Sequence, residues 1–292
     1  MPWPRLLTFR PQSFIMEDQS DANTRPHEDR EAMYEVHLRP WMARNVSDVA
    51  LYCENVRFDP VTRLCSSRVQ EVNPVRIVTW NCCRGGHGIK MPPLLQLKPD
   101  IAVLQETPRP SKILGDGQTW KGTNPRSGVL VLSFNGYTLE PARIRRKEPE
   151  VFVPVRIAGP RSQFNLLAAW VKPGRKPYYR STVDDAIDLY DSFIREAPTV
   201  VLGDLNTYYR FYDWTGQTGL ISAYHEYFHT ALGKEAHATF YRYRRRASRY
   251  RYHYDYCFIP GTWKMELKRV RVGSYDKWAS LSDHMPVIVD LK

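Results

Sequence analysis

Three apolar runs in this sequence stop at a short acid or amide, and a fourth begins just after an acid and an imidazole. "RIVTW" runs into Asn81, "DIAVLQ" into Glu106, and "TVVLG" into Asp204, with Asn206 two residues on. Asp283 and His284 stand immediately before "MPVIVDL". Carboxylates and amides gathered at one edge of a sheet would make a hard-oxygen metal site. Mg2+ takes one or two carboxylates, several waters and phosphate oxygens. Asp204 and Asn206 share one face if the chain there stays extended. Asp283 and His284 are adjacent, so a strand would point them apart. They therefore belong in the loop before Met285, where both can turn inward. That leaves Asp283 for a metal and His284 for phosphate contact or proton transfer. Alone, Asn81 could cap a turn, Glu106 could be an exposed strand end and Asp204–Asn206 an Asx turn. The combination in this order is what points to a site.

The elements that must position these residues begin at Pro74. Core strands are expected over 75–80, 100–106, 127–133, 164–171, 199–206 and 285–291, the first a continuous apolar, β-branched run. Between the fourth and fifth, Val183, Ala186, Ile187, Tyr190, Phe193 and Ile194 recur at helical spacing. Thr182 and Asp185 resemble a capping box, and Pro198 follows the end. A shorter helix is expected to start near Pro92. The mixture predicts an α/β fold of packed sheets flanked by helices, with its ligand site at the carboxyl ends of strands. Residues 1–73 read as an N-terminal extension, polar and without period through 11–45 and more structured in tone from Leu51 to Val72. Residues 74–292 are expected to form the domain that carries the site residues.

With 292 residues, 42% hydrophobic and 25% charged, the chain has material for a sizeable core. No run of about 18 apolar residues is present, so no stable membrane insertion is expected. The first residues lack the apolar segment of a secretory signal. Five cysteines, with Cys82 and Cys83 adjacent, make neither a disulfide framework nor a zinc motif. A reducing, cytoplasmic setting is the expectation. The net charge of +11 fits a polyanionic partner or simply a solvated basic surface.

"VTWNCCRGG", "DIAVLQE", "VVLGDLN" and "SDHMPVIVDL" together resemble the motifs of the endonuclease/exonuclease/phosphatase superfamily, in family order and over roughly residues 75–292. The resemblance implies a four-layer sandwich of two central mixed β-sheets flanked by helices. It also implies hydrolysis of phosphate esters with Mg2+, or Mn2+ in its place. On it, Glu106 is the principal metal ligand, and Asn81 holds the metal or a phosphate oxygen. Asp283 assists the metal. Asp204 positions or deprotonates the attacking water, and Asn206 helps orient it. His284 contacts the scissile phosphate. "YHYDYCF" resembles the segment whose aspartate orients that histidine, so Asp255 is the candidate orienter. Many family members carry a histidine where this chain has Trp170. A candidate general acid is therefore missing, unless a metal-bound water or His253 protonates the leaving group. Trp170 is expected to pack or stack near the cleft.

The substrate must be argued from elsewhere. "TFYRYRRRASRYRYHYDYCF" interleaves arginine with tyrosine between Tyr241 and Tyr256. Such residues stack on bases and pair with phosphates, and Arg244, Arg245 and Arg246 are the expected phosphate contacts. The alternative is a basic hairpin whose alternation puts tyrosine inward and arginine outward. His225 is a further candidate for lining the cleft, and "GGHG" is a turn after the first motif that could cradle phosphate. A nuclease acting on DNA or RNA is the favoured expectation, ahead of a hydrolase of a small or lipid phosphate. A silent binding module is disfavoured because metal, water and histidine positions are all filled.

Overall fold

The computed structural model describes residues 74–143, 152–172, 178–206, 216–244 and 250–292. The extension proposed over residues 1–73, with Cys53 and Cys65, lies outside them.

The first sheet explains why its central strands are apolar. It contains β1 (Val75–Asn81), β2 (Ile101–Thr107), β3 (Gly117–Asn124) and β4 (Ser127–Ser133). In β2, Ile101 and Val103 face one core while Ala102 and Leu104 face another; in β4, Val129 and Val131 alternate in the same way with Leu130 and Leu132. A strand with both faces covered has no solvent face to fill with polar residues. One face meets the second sheet. The other meets α1 (His87–Leu95), through Met91 and Leu94.

The second sheet is built from β5 (Thr138–Pro141), β6 (Phe152–Ala158), β7 (Gln163–Trp170) and β8 (Thr199–Asp204). The connection from β7 to β8 carries α2 (Tyr178–Arg195), whose Tyr190 ring lies 5.7 Å from Phe152. The chain continues through β9 (Leu220–Ser222), α3 (Ala223–Phe228), the short ribbon strands β10 (Phe240–Tyr241) and β11 (Arg251–Tyr252), and β12 (Asp255–Pro260). It ends with β13 (Leu267–Val272), α4 (Tyr275–Trp278) and β14 (Val287–Leu291). Trp278 of α4 packs edge-on to Trp80, 4.9 Å away, on the outer face of the first sheet. Strand order is β13-β14-β1-β2-β4-β3 in one sheet and β5-β6-β7-β8-β12-β9 in the other. Among the described residues only β1–β2 and β7–β8 pair in parallel, so both sheets are mixed. The result is the expected helix–sheet–sheet–helix sandwich. No helix among the described residues is long and apolar enough to cross a membrane.

The six expected strands are present, but two helix starts differ. The long helix begins at Tyr178, so Thr182 lies inside it and cannot be its N-cap. The short helix begins at His87 and contains Pro92 and Pro93, rather than starting near them. Gly86 of "GGHG" is its N-cap. Strand β6 escaped sequence reading because Pro154 interrupts it. That proline lies beyond the last β5 pair, Pro141 with Val155, and its missing N–H disturbs little.

Candidate active site

The two parallel pairs bring the expected residues to one edge. Asn81 is level with Gln105, and Trp170 is level with Asp204. Strand β12 runs the other way against β8 and sets Asp255 opposite Asp204. One amide then joins the two sheets: Asn81 Nδ2 donates to Asp204 Oδ2 at 2.8 Å and to Glu106 Oε1 at 3.2 Å.

Glu106 reaches this edge through an irregularity. Between Leu104 and Thr107 the β2–β4 register shifts, and Glu106 sits in the left-handed region with φ 52°. A bulge re-aims one side chain out of the alternation, and a non-glycine left-handed residue is held there only by its surroundings. Its carboxylate is part exposed, with Arg84 at 3.9 Å.

Asp204 ends β8, and the chain turns at once rather than continuing extended. Asn206 has φ 47°, and its backbone N–H donates to Asp204 Oδ1 at 3.0 Å, an Asx turn. Asn206 Nδ2 donates to Asp204 Oδ2 at 2.9 Å and to the Val171 carbonyl at 2.9 Å. The expected shared face of an extended strand is thus replaced by a turn that still aims both side chains at one point. Gly203 permits it: φ is 148°, and a Cβ there would lie 1.8 Å from the Ala169 carbonyl oxygen.

His284 is buried with Nδ1 2.8 Å from Asp255 Oδ2 and Nε2 4.0 Å from Asp204 Oδ2. Burial works against its charge, but the Asp255 and Asp204 carboxylates outweigh that and push its pKa up to about 10. The same burial pushes Asp204 up to about 7, against the downward pull of His284. Atoms of Asp204, Asp255 and His284 all lie within 4.8 Å of one another. A protonated imidazole has no lone pair for a cation, so this trio is a hydrogen-bonded acid–imidazole array. The expected oxygen ligands for a hard cation, Glu106 and half-buried Asp283, both lie near the Cys83 thiol, while Asn81 turns its Nδ2 to Glu106 and accepts the Cys83 N–H on Oδ1 at 2.9 Å. The neighbouring Cys83 thiol is raised by burial and by Asp283, so it stays protonated and offers no thiolate.

The other candidates fall in several places. Trp170 is buried beside Asp204, and its indole N–H has no hydrogen-bond partner among the described residues. His253 is buried against Tyr224 and Tyr256, with Nδ1 2.7 Å from the His237 carbonyl; burial lowers its pKa. His225 lies on α3, bonded to Ser222 at 2.8 Å and Glu235 at 3.0 Å, and borders a cavity with His229 and Lys264. Arg244 is exposed near Ser280 and Cys83, while Arg245 and Arg246 lie outside the described residues.

Three supporting residues were missed in the sequence. Ser282 Oγ donates to the Asn81 carbonyl at 2.7 Å and accepts from the His284 N–H at 3.1 Å, tying the Asp283–His284 loop to β1. Thr239 Oγ1 accepts the N–H groups of Tyr254 and Asp255 at 2.9 and 3.1 Å. The Phe240 ring lies 4.8 Å from the His284 ring. Serine beside "DH" was a readable hint; Thr239 and Phe240 carried no local signal.

No family model matches the sequence, and no curated protein matches it. Solved structures do. The 3′ phosphatase NExo from Neisseria, solved bound to a product DNA hairpin, is 17% identical, with TM-score 0.57, over 75% of this chain and 99% of its own. An AP endonuclease from Archaeoglobus fulgidus is 16% identical, with TM-score 0.58 and the same coverage. The chain has the endonuclease/exonuclease/phosphatase fold. The endonuclease domain of TRAS1, a telomere-specific non-LTR retrotransposon, shares the endonuclease/exonuclease/phosphatase fold at 15% identity and TM-score 0.56, over 75% of this chain and 99% of its own.

Proposed function

We propose that the protein is a divalent-metal-dependent phosphodiesterase acting on nucleic acid. The observation that carries this reading is His284, held by Asp255 with its Nε2 turned toward Asp204 and a gap of 4.0 Å between them. Asn81 ties Asp204 to the part-exposed carboxylate of Glu106, so a phosphoryl group reaching this edge would meet a carboxylate for a cation, an acid and a charged imidazole together.

The residues then divide the work. Asp204, as carboxylate, accepts a proton from the attacking water, with Asn81 and Asn206 fixing its orientation. His284 enters protonated and donates through Nε2 to the phosphoryl oxygens as charge develops. Asp255 fixes the tautomer and favours the cation. Glu106, Asn81 and Asp283 would hold Mg2+ or Mn2+, which would supply Lewis-acid charge for those oxygens. Trp170 cannot take the place of an acid, because an indole N–H is a donor that does not ionise at working pH.

The preference for nucleic acid rests on the +11 charge, the Arg/Tyr segment and the DNA held by NExo. The decisive assay incubates the purified protein with labelled DNA, RNA and a phosphoinositide, with and without Mg2+. Cleavage of DNA or RNA that needs the metal is expected. Glu106→Gln should abolish it while circular dichroism stays unchanged, since one charge holding the ion is lost. Hydrolysis of the phosphoinositide alone would replace this substrate class with the small-phosphate one.

A further inference from the structure

The β10–β11 ribbon leaves the site as an extension of the His284 loop. The Tyr241 N–H donates to the Asp283 carbonyl at 2.8 Å, and Phe240 bridges to His284. Just beyond, the expected alternation fails. Tyr241 packs on Tyr275 and Tyr252 stacks on Tyr254, but Tyr243 and Tyr250 turn outward with the arginine. The Arg242 guanidinium lies 5.0 Å from the Tyr243 ring and 5.3 Å from the Tyr250 ring. Tyr243 is 71% exposed.

That exposure is enforced by the backbone. Tyr243 and Arg244 are consecutive non-glycine residues with φ 59° and 52°. An exposed ring buries little area in return for a sparsely populated conformation, and such conformations collect at ligand clamps. The strand advances about 3.3 Å per residue, so Arg242 stands within roughly 7 Å of Phe240 along the ribbon.

Resting on the nucleic-acid reading above, we infer that Arg242, Tyr243 and Tyr250 form a stacking platform for one unpaired base beside the scissile phosphate. The substrate is then a single strand, or a strand with an unpaired end. A base inside a duplex already has both faces covered and cannot lie on the platform without leaving the stack. Aromatic rings and arginine planes accept any base, because every base has a π-face. The platform therefore selects for unpaired structure rather than for sequence.

The test is binding, measured by fluorescence anisotropy without divalent metal so that turnover plays no part. Probes are a labelled single-stranded oligonucleotide, the same strand in a blunt duplex, and an abasic strand of equal phosphate number. The wild type should bind the single strand at least about tenfold more tightly than the duplex, and Tyr243→Ala should lose about tenfold on the single strand. Tyr243→Phe should retain the affinity. Removing the ring and removing the bases should not add, because each deletes the same contact. A Tyr243→Ala protein with unchanged melting and unchanged single-strand affinity overturns the platform. So does equal affinity for duplex and single strand. The hydrolysis assay with Mg2+ reads the catalytic proposal separately: its failure beside intact, ring-dependent binding would sink the nuclease and leave the platform standing.

Discussion

The proton on His284 sets the pH range in which the site can work. On the proposed mechanism Asp204 must be ionised to accept a proton, and its pKa stands at about 7. His284 must be charged, and its pKa stands at about 10. Turnover should rise through about pH 7, hold, and fall near pH 10; a pH–rate profile checks both limbs. The stability sign follows from the same shift. A histidine raised above its ordinary value stabilises the fold fully below pH 6.5, and the contribution disappears as pH climbs through the folded pKa. The stability gap between wild type and His284→Gln should therefore narrow between pH 6.5 and about 10 in urea titrations. His284→Ala should cost at least about a hundredfold in kcat, the scale of a positioned acid–base or charge-stabilising group. Asp255→Asn acts only through His284 and should cost less. Full activity in Asp255→Asn, beside an inactive His284→Ala, would remove the orienting role.

At the scale of elements, the site depends on two local departures from regular strand. The β2 irregularity delivers Glu106. On β8, Gly203 lets the strand pass against the Ala169 carbonyl just before Asp204. Alanine at 203 would place its Cβ on that oxygen and force β7 and β8 apart. Gly203→Ala should destabilise by about 1–3 kcal/mol, the range for a residue forced into a conformation it avoids. It should also lower activity in protein that remains folded, since Asp204 moves with the strand end. A Gly203→Ala protein with wild-type melting and kcat would show that the strand edge tolerates the Cβ.

Across the whole molecule, the excess of positive charge acts through salt. Each phosphate neutralised on binding releases counterions, so affinity should fall linearly on a log–log plot against salt, with slope of about 0.7 per contact for a single strand. Replacing Arg244, Arg245 and Arg246 with serine should flatten that slope and weaken binding, whereas Tyr243→Ala should weaken binding at nearly constant slope. Oligonucleotide titrations from low to high salt separate the two. A triple-serine protein with unchanged affinity and slope would mean that these arginines do not grip the backbone.

The sequence by itself determined the strands that carry the site. Runs such as "RIVTW" and "DIAVLQ" are apolar throughout because both faces are buried, and a polar residue ending such a run stands where the sheet opens. Asn81, Glu106, Asp204 and the Asp283–His284 loop were legible for that reason. Asp255 was reached only through family resemblance, because its partner lies 29 residues away and no local pattern records a pairing between β12 and β8. Tertiary structure alone decided the rest. The start of α2 at Tyr178 overrode a local capping pattern at Thr182. The placement of His225 with Ser222 and Glu235 came from the packing of α3. The outward turn of Tyr243 came from backbone dihedrals that an alternating sequence does not specify. A strand's burial is written into each of its residues. A contact between distant segments is written only in the free energy of the assembled sheets, which no window of sequence contains.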